Sequence, residues 1–516
     1  MIRATLFATS AILAVSLSAA CAQDSSQSLE LEIETLVAGE LVAEQIVVQV
    51  DTFALGAAEV RTDSLSRTIE IPVVRMRATG SSPAEPIFWL GGGPGQTNLR
   101  TFDYDYFVDR HDHVMVGYRG VDGPVSLDCA EVAETLKDSD DVLDPQTLDN
   151  VGEAFLECLD RLEDSGVDIE GYSILEVVHD IELARKSLGY DKILILAESF
   201  GTRLAQLYTT VYPENVTRVV MIGAQPPGGM VWDPDQSDAM IERYGELWSA
   251  DPELVDRHPD LAEAVGSVNQ NMPKRWFFMP IHPGNVKASA FPMLFHRESA
   301  AKVFDTYVAA ANGDASGLWL ISIVAPFIFP NVVNWGENAS KAVSADHEPG
   351  RDYVSELLPD DAIIGAPLGA FLWAPAALWP IERIPDEYWA PRESNLPTLF
   401  LSGSLDLTTP PQNVTSDLMP LMPNATHVVL AEMGHILDLW RERPETTHRI
   451  LTSFIETGAV DTSTVEYVPM DFSVQWGFPF LAKLTVAAVV LIPLLLVLGI
   501  WFFVRRTRRR RRRQTR

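Results

Sequence analysis

Ser199, Asp406 and His435 are three residues that, in this chain order, could together cleave an acyl bond. A serine hydroxyl attacks only when a base takes its proton, and the base works only when an acid fixes its tautomer and orientation. Ser199 lies in Ala197-Glu198-Ser199-Phe200-Gly201, between an apolar ILIL run and a helical RLAQLY run. A nucleophile on a sharp strand-to-helix turn needs small residues two positions either side, because backbones pass close there. Alanine and glycine fill those positions. The turn would expose the Ser199 hydroxyl at the carboxyl end of a sheet and set the Phe200 N–H at the positive end of a helix. The plainer alternative is a serine that merely caps a helix.

Asp406 ends the turn Ser402-Gly403-Ser404-Leu405-Asp406 after the apolar strand 396–401, and His435 follows the next strand in HVVLAEMGH. Both therefore arrive at the sheet edge expected for Ser199. Asp438 is a stand-in for the acid. Of the histidines that come after Ser199, His427 opens a strand, His448 sits on a surface helix, and His258, His282, His296 and His347 fall in the middle stretch of the chain. Leu90-Gly91-Gly92-Gly93-Pro94-Gly95 follows the strand-like IFWL, and glycines let backbone amides turn toward a ligand. Gly92 or Gly93 with Phe200 would supply the N–H donors that a tetrahedral oxyanion needs. A phosphate loop is the rival, but neither Lys-Ser/Thr nor G-x-G-x-x-G occurs there. No metal or cofactor motif is present.

Alternating strand and helix patterns place these residues. Strand-like EQIVVQV, SRTIEIPVVRMRA, EPIFWL and HVMVGYRG precede helical AFLECLDRLED and ILEVVHDIELARKSLGY. The rhythm predicts a mostly parallel sheet flanked by helices, its first part spanning 44–224. It breaks over 225–395, a Pro-, Trp- and Gly-rich stretch read as an inserted, mainly helical cap, and resumes over 396–460. Within the cap, 318–335 is strongly apolar but contains Pro326 and Pro330 without charged flanks, which fits cap core or pocket lining.

Both ends suggest export. Residues 1–22 combine Arg3, an apolar run and the small-residue site Ala20-Cys21-Ala22, as in a signal peptide; Cys21 could alternatively be lipidated. Residues 23–43 read as an N-terminal linker and 461–483 as a juxtamembrane linker. The run 484–504 has the length and apolarity of a membrane-spanning helix, and residues 505–516 hold nine arginines. The positive-inside rule puts that tail in the cytoplasm and the body outside, in the periplasm of a bacterium whose inner membrane the helix crosses once. The chain carries a net charge of −32, so without those nine arginines the rest sums to −41. Such a body repels nucleic acid. Apart from Cys21, the remaining cysteines are Cys129 and Cys158. In an oxidising compartment they read as a disulfide, though two buried thiols would also satisfy the count.

In combination, LGGGPG, VGYRGVDGP, AESFGTRLAQLYTTVYPENVTRVVMIGA, SGSLDLTTP and EMGH resemble the proline iminopeptidase and tripeptidyl aminopeptidase branch of the α/β-hydrolases over about 65–460. The resemblance implies the α/β-hydrolase fold with a cap, a Ser199–Asp406–His435 triad and a Cys129–Cys158 bridge. Ala197 replaces the usual first elbow glycine. Gly91 stands where iminopeptidases have histidine, which counts against true proline iminopeptidase activity. The family's late cap segment often carries a cysteine that APAALWP lacks.

The expected activity is therefore a membrane-tethered serine peptidase acting on peptide N-termini through an acyl-enzyme. Cap carboxylates Asp233, Asp235, Asp238, Glu242 and Glu246 are candidates for holding the substrate amine. An esterase or lipid hydrolase with the same triad, acting on a small ester, is the alternative. A binding protein on the same scaffold is a third reading.

Overall fold

The computed structural model describes residues 25–37, 40–100 and 107–489, with isolated positions between 500 and 505. The segment 1–22 with Cys21, most of 490–504 and the tail beyond Arg505 lie outside the described residues.

Among the described residues, strands β1 (Ser25–Val37), β2 (Glu40–Ala58), β3 (Thr68–Met76), β4 (Ile87–Leu90), β5 (His113–Val116), β6 (Ile193–Glu198) and β7 (Val216–Ile222) form one sheet with β10 (Thr398–Gly403) and β11 (Ala425–Leu430). Its order is β1-β2-β3-β5-β4-β6-β7-β10-β11. The first three pairings are antiparallel; β5-β4, β4-β6, β6-β7, β7-β10 and β10-β11 are parallel. Every residue of β6 is buried, as expected of a strand covered on both faces. Ile195 and Ala197 join one core, with α3 (Ile174–Ser187) and α4 (Phe200–Val211). Leu194 and Leu196 join a second, with α16 (Pro444–Thr457) and Leu439 of α15 (Leu437–Glu442).

Helices α1 (Ala130–Lys137) and α2 (Pro145–Asp164) lie between β5 and β6. Cys129 and Cys158 are disulfide-bonded with 5.4 Å between their Cα atoms, inside a third cluster that includes cap residues Trp335, Ala339 and Phe371. After β7 the main sheet gains no strand until Thr398. The intervening cap consists of α5 (Pro234–Ser249), α6 (Pro252–Arg257), α7 (Leu261–Gln270), α8 (Pro283–Met293), α9 (Arg297–Ala311), α10 (Ser316–Ile328), α11 (Trp335–Asp346), α12 (Tyr353–Leu357) and α13 (Pro367–Ala376). It also holds a short hairpin, β8 (Arg275–Trp276) with β9 (Met279–Pro280). One-turn α14 (Pro411–Asn413) follows β10.

The structure corrects two expectations. The 23–43 linker is largely strand: β1 pairs β2 antiparallel from Ser25↔Thr52 to Val37↔Glu40. Its glutamates masked a period-two pattern, Leu29-Leu31-Ile33 alternating with Glu30-Glu32-Glu34, that suits a sheet edge. The 461–483 linker is packed down. Phe472 is buried against Trp248, Phe304 and Tyr244, with ring centroids 5.3, 6.2 and 6.4 Å away. The helix expected from 484 already begins at Phe478 and is described to Val489; we call this part α17. No single helix among the described residues is long and apolar enough to cross a membrane.

Candidate active site

The turn from β6 into α4 puts Ser199 at φ 48° and ψ −123°, a strained conformation for a residue with a side chain. Local contacts enforce it. The Ser199 N–H donates to the Ile222 carbonyl at 3.0 Å, and its carbonyl accepts from the Thr202 amide at 2.8 Å and hydroxyl at 2.6 Å. A Cβ on Gly201 would lie 2.0 Å from the Leu90 carbonyl, so this position admits no side chain. Ala197 faces the core and is accommodated.

The glycine turn after β4 crosses directly over this elbow: a Cβ on Gly92 would lie 2.8 Å from that of Ser199. Its ends are tied down. The Gly91 N–H donates to Asn98 Oδ1 at 2.7 Å, and Tyr118 donates its hydroxyl to the Gly91 carbonyl at 3.0 Å. Asn98 in turn donates to the carbonyls of Trp89 and Val116, at 3.0 and 2.8 Å. The far end is held from the cap by α11, which is buried along its whole length. Glu337 accepts from the Gly95 N–H, the Asn334 N–H donates to the Gly95 carbonyl at 2.8 Å, and Asn338 donates to the Pro94 carbonyl at 3.1 Å. Burial pushes the Glu337 carboxyl up, with Lys341 and the Gly95 amide opposing. Glu337 and Asn338 carry no signal in the sequence because their partners Gly95 and Pro94 are more than 240 residues away.

Asp406 and His435 meet: His435 Nδ1 is 2.7 Å from Asp406 Oδ2. The same carboxylate accepts from the amides of Thr408 and Thr409 at 3.0 and 2.9 Å and from the Thr409 hydroxyl at 2.7 Å. The threonines of DLTTP therefore form the aspartate's turn, a local signal readable in the sequence. A carboxylate on Nδ1 keeps the proton there and leaves Nε2 free to act as a base. The imidazole lies over Gly223, where a Cβ would be 2.9 Å from His435 Cε1. Gly223 directly follows Ile222, which holds the Ser199 amide. Ser199 and His435 thus flank the carboxyl end of β7.

Asp438 is not on the imidazole Nδ1 in place of Asp406. It accepts from the amides of Gly434 and Arg297, both at 2.9 Å, and so ties the His435 loop to the cap. The His435 N–H reinforces the tie by donating to the Phe295 carbonyl at 2.7 Å. Glu432, three residues before His435, adopts φ 54°. Its carboxylate accepts from the Tyr467 hydroxyl and the Met470 amide, both at 2.5 Å. Arg297 donates to the Pro469 carbonyl. Residues 467–472 thus form a strap across the histidine loop.

Glu198 is buried beside Ser199 and accepts from the Trp440 indole at 2.5 Å. Burial pushes its carboxyl up to about 8, with the Trp440 N–H pulling the other way.

Three of the cap carboxylates have structural duties. Asp233 caps α5; Asp238 accepts from the amides of Ile363, Ile364 and Gly365 at 2.7–3.0 Å; Glu246 pairs with Arg243. Asp235 and Glu242 are exposed on α5. They are poor choices for gripping a substrate amine.

A profile of the α/β-hydrolase fold matches residues 156–272. With the sheet order above, the chain has the α/β-hydrolase fold: a mostly parallel sheet with flanking helices. It is similar to the tripeptidyl aminopeptidases of Streptomyces lividans and Streptomyces coelicolor, with 22% identity over 388 residues, 67% of this chain and 70% of each relative. Among solved structures, a thermophilic esterase from Thermogutta terrifontis aligns over 79% of this chain and 99% of its own, with 13% identity and a TM-score of 0.35.

Proposed function

We propose that the chain is a membrane-anchored, extracytoplasmic serine hydrolase that removes residues from peptide N-termini. The observation that carries this reading is the 2.7 Å contact of His435 with Asp406, beside the strained turn bearing Ser199. In the proposed reaction, Ser199 Oγ bonds to the substrate carbonyl carbon while His435 Nε2 takes its proton. The oxyanion is held by the amides of Phe200 and of Gly92 or Gly93. Collapse breaks the carbon–nitrogen bond, and His435 returns the proton to the leaving amine. Water then attacks the acyl ester with His435 again as base, releasing the acid and Ser199.

Peptidase action is favoured by the resemblance over about 65–460 and by the similarity to the two tripeptidyl aminopeptidases. Anchoring rests on the apolar run 484–504 and the arginines after it. Wild type and Ser199→Ala are to be compared on free-amine peptidyl arylamides, N-acetylated counterparts and short acyl esters. The expected result is arylamide turnover that is lost on N-acetylation and in Ser199→Ala. Ester turnover alone would replace the peptidase reading with that of an esterase. Equal turnover by Ser199→Ala would overturn the serine assignment.

A further inference from the structure

Helix α10, SGLWLISIVAPFI, carries no charged residue. Leu318, Ile321, Ser322 and Ala325 are buried, as befits a face turned to the core. The opposite stripe, Leu320, Ile323, Val324 and Phe327, recurs at i, i+3, i+4 and i+7 and is equally apolar. Leu320, Ile323 and Val324 are half-buried, the first two against the core, and the helix opens only at its end, where Phe327 is 81% and Ile328 49% exposed. A cap helix that faced water would carry polar residues there.

What lies beside this stripe points to its occupant. α17 docks at its start: Ser316 donates to the Pro479 carbonyl at 3.3 Å, and Lys483 pairs with Asp314 at 2.6 Å. From there α17 leads into the apolar run proposed to span the membrane. On another side of α10 lies the β8–β9 hairpin, fixed by Trp276 against Trp319 (5.3 Å) and by the His282 N–H donating to Ser322 Oγ at 2.8 Å. Its two-residue tip is Phe277-Phe278, where such a turn ordinarily takes Asn-Gly or another glycine pair. Phe277 sits at φ 52°, and the two rings are 74% and 88% exposed. A residue with a bulky side chain thus holds a left-handed backbone at the tip, and both rings point into the open. Exposed Lys274 and Arg275 stand next to them, in a body whose overall charge is strongly negative. Aromatic rings with adjacent cations suit the interface of an acidic bilayer.

We propose that the Phe277-Phe278 tip and the exposed end of α10 at Phe327 and Ile328 rest on the membrane surface, in the leaflet on the same side as the catalytic domain. The proposal rests on the reading of 484–504 as a membrane-spanning helix. It is tested with the full chain in vesicles of phosphatidylcholine and a minor share of phosphatidylglycerol. An environment-sensitive dye is attached through Phe278→Cys, Phe327→Cys or, as control, Leu65→Cys, which is 91% exposed in the β2–β3 turn. Unchanged turnover of a soluble ester certifies each labelled chain as folded. The expected result is a blue shift at 278 and 327, with loss of emission when the vesicles carry nitroxide lipid, and neither effect at 65. If 278 and 327 behave like 65 while the chain resists carbonate extraction, the proposal fails and the anchor stands. If carbonate extracts the chain, the anchor reading fails and takes the proposal with it. A concentration-dependent blue shift that nitroxide lipid does not quench would assign the face to a second copy of the chain and overturn the proposal.

Discussion

Glu198 sits next to the proposed nucleophile and holds its proton up to about pH 8 because it is buried. In the unfolded chain a glutamate titrates near ~4.3. Between those values the native state keeps a proton that the unfolded state has released, so this group lowers stability as pH rises, with no further loss above about 8. Glu198→Gln should therefore gain stability relative to wild type as pH rises through that window, and gain nothing below it. Thermal denaturation against pH measures this. Ionised Glu198 would also oppose an oxyanion forming close by, so kcat/KM of the wild type should fall as pH rises through about 8 and that of Glu198→Gln should not. Gly223 is a second sensitive point: its φ is 59°, and a Cβ would meet the His435 ring. Gly223→Ala should cost on the order of 10²-fold in kcat, the lower end of what a positioned acid–base group contributes. Steady-state kinetics on an ester substrate would show it.

The strap of residues 467–472 and the histidine loop form one unit. Phe472 anchors the strap in the cap, and Tyr467 and Met470 hold Glu432. Phe472→Ala should cost about 3–5 kcal/mol of stability, as for other buried rings cut to alanine, read by denaturant unfolding. Glu432→Ala should lower kcat more than it raises KM, because it frees the loop that carries His435 while leaving the cap packed. Equal effects on both constants would mean the loop is held by other contacts. Ser199, Asp406 and His435 are legible as candidates because each follows a strand within a few residues, a pattern of local origin. The part Asp438 plays, tying the histidine loop to the cap, is not legible for the opposite reason. Its partners Gly434 and Arg297 come from two elements, and only folding brings them together. The strap was invisible for the same cause, and residues 25–37 read as linker because glutamates alternate with the apolar positions of an edge strand.

At the scale of the whole molecule, the acidic body and the basic tail are joined through α17, whose first turns pack on the cap. A chain stopped after Val489 keeps those contacts and loses most of the apolar run. It should turn over a soluble ester like the full chain yet leave the membrane fraction, which fractionation with an activity assay would establish. Equal retention would mean that other surfaces hold the protein there.

The parallel pairing of β10 with β7, Thr398↔Val219 to Leu401↔Ile222, joins strands separated in sequence by the whole cap. During synthesis the serine-bearing half emerges first, followed by the cap, and only then the strands that deliver Asp406 and His435. The proposed nucleophile is without its proposed base until nearly the full body has been made and the long loop closed. A chain cut short by stalled synthesis would carry Ser199 without Asp406 and His435, its partners in the proposed triad. On the proposed triad, the order of the elements makes any activity of Ser199 wait for the last strands of the body.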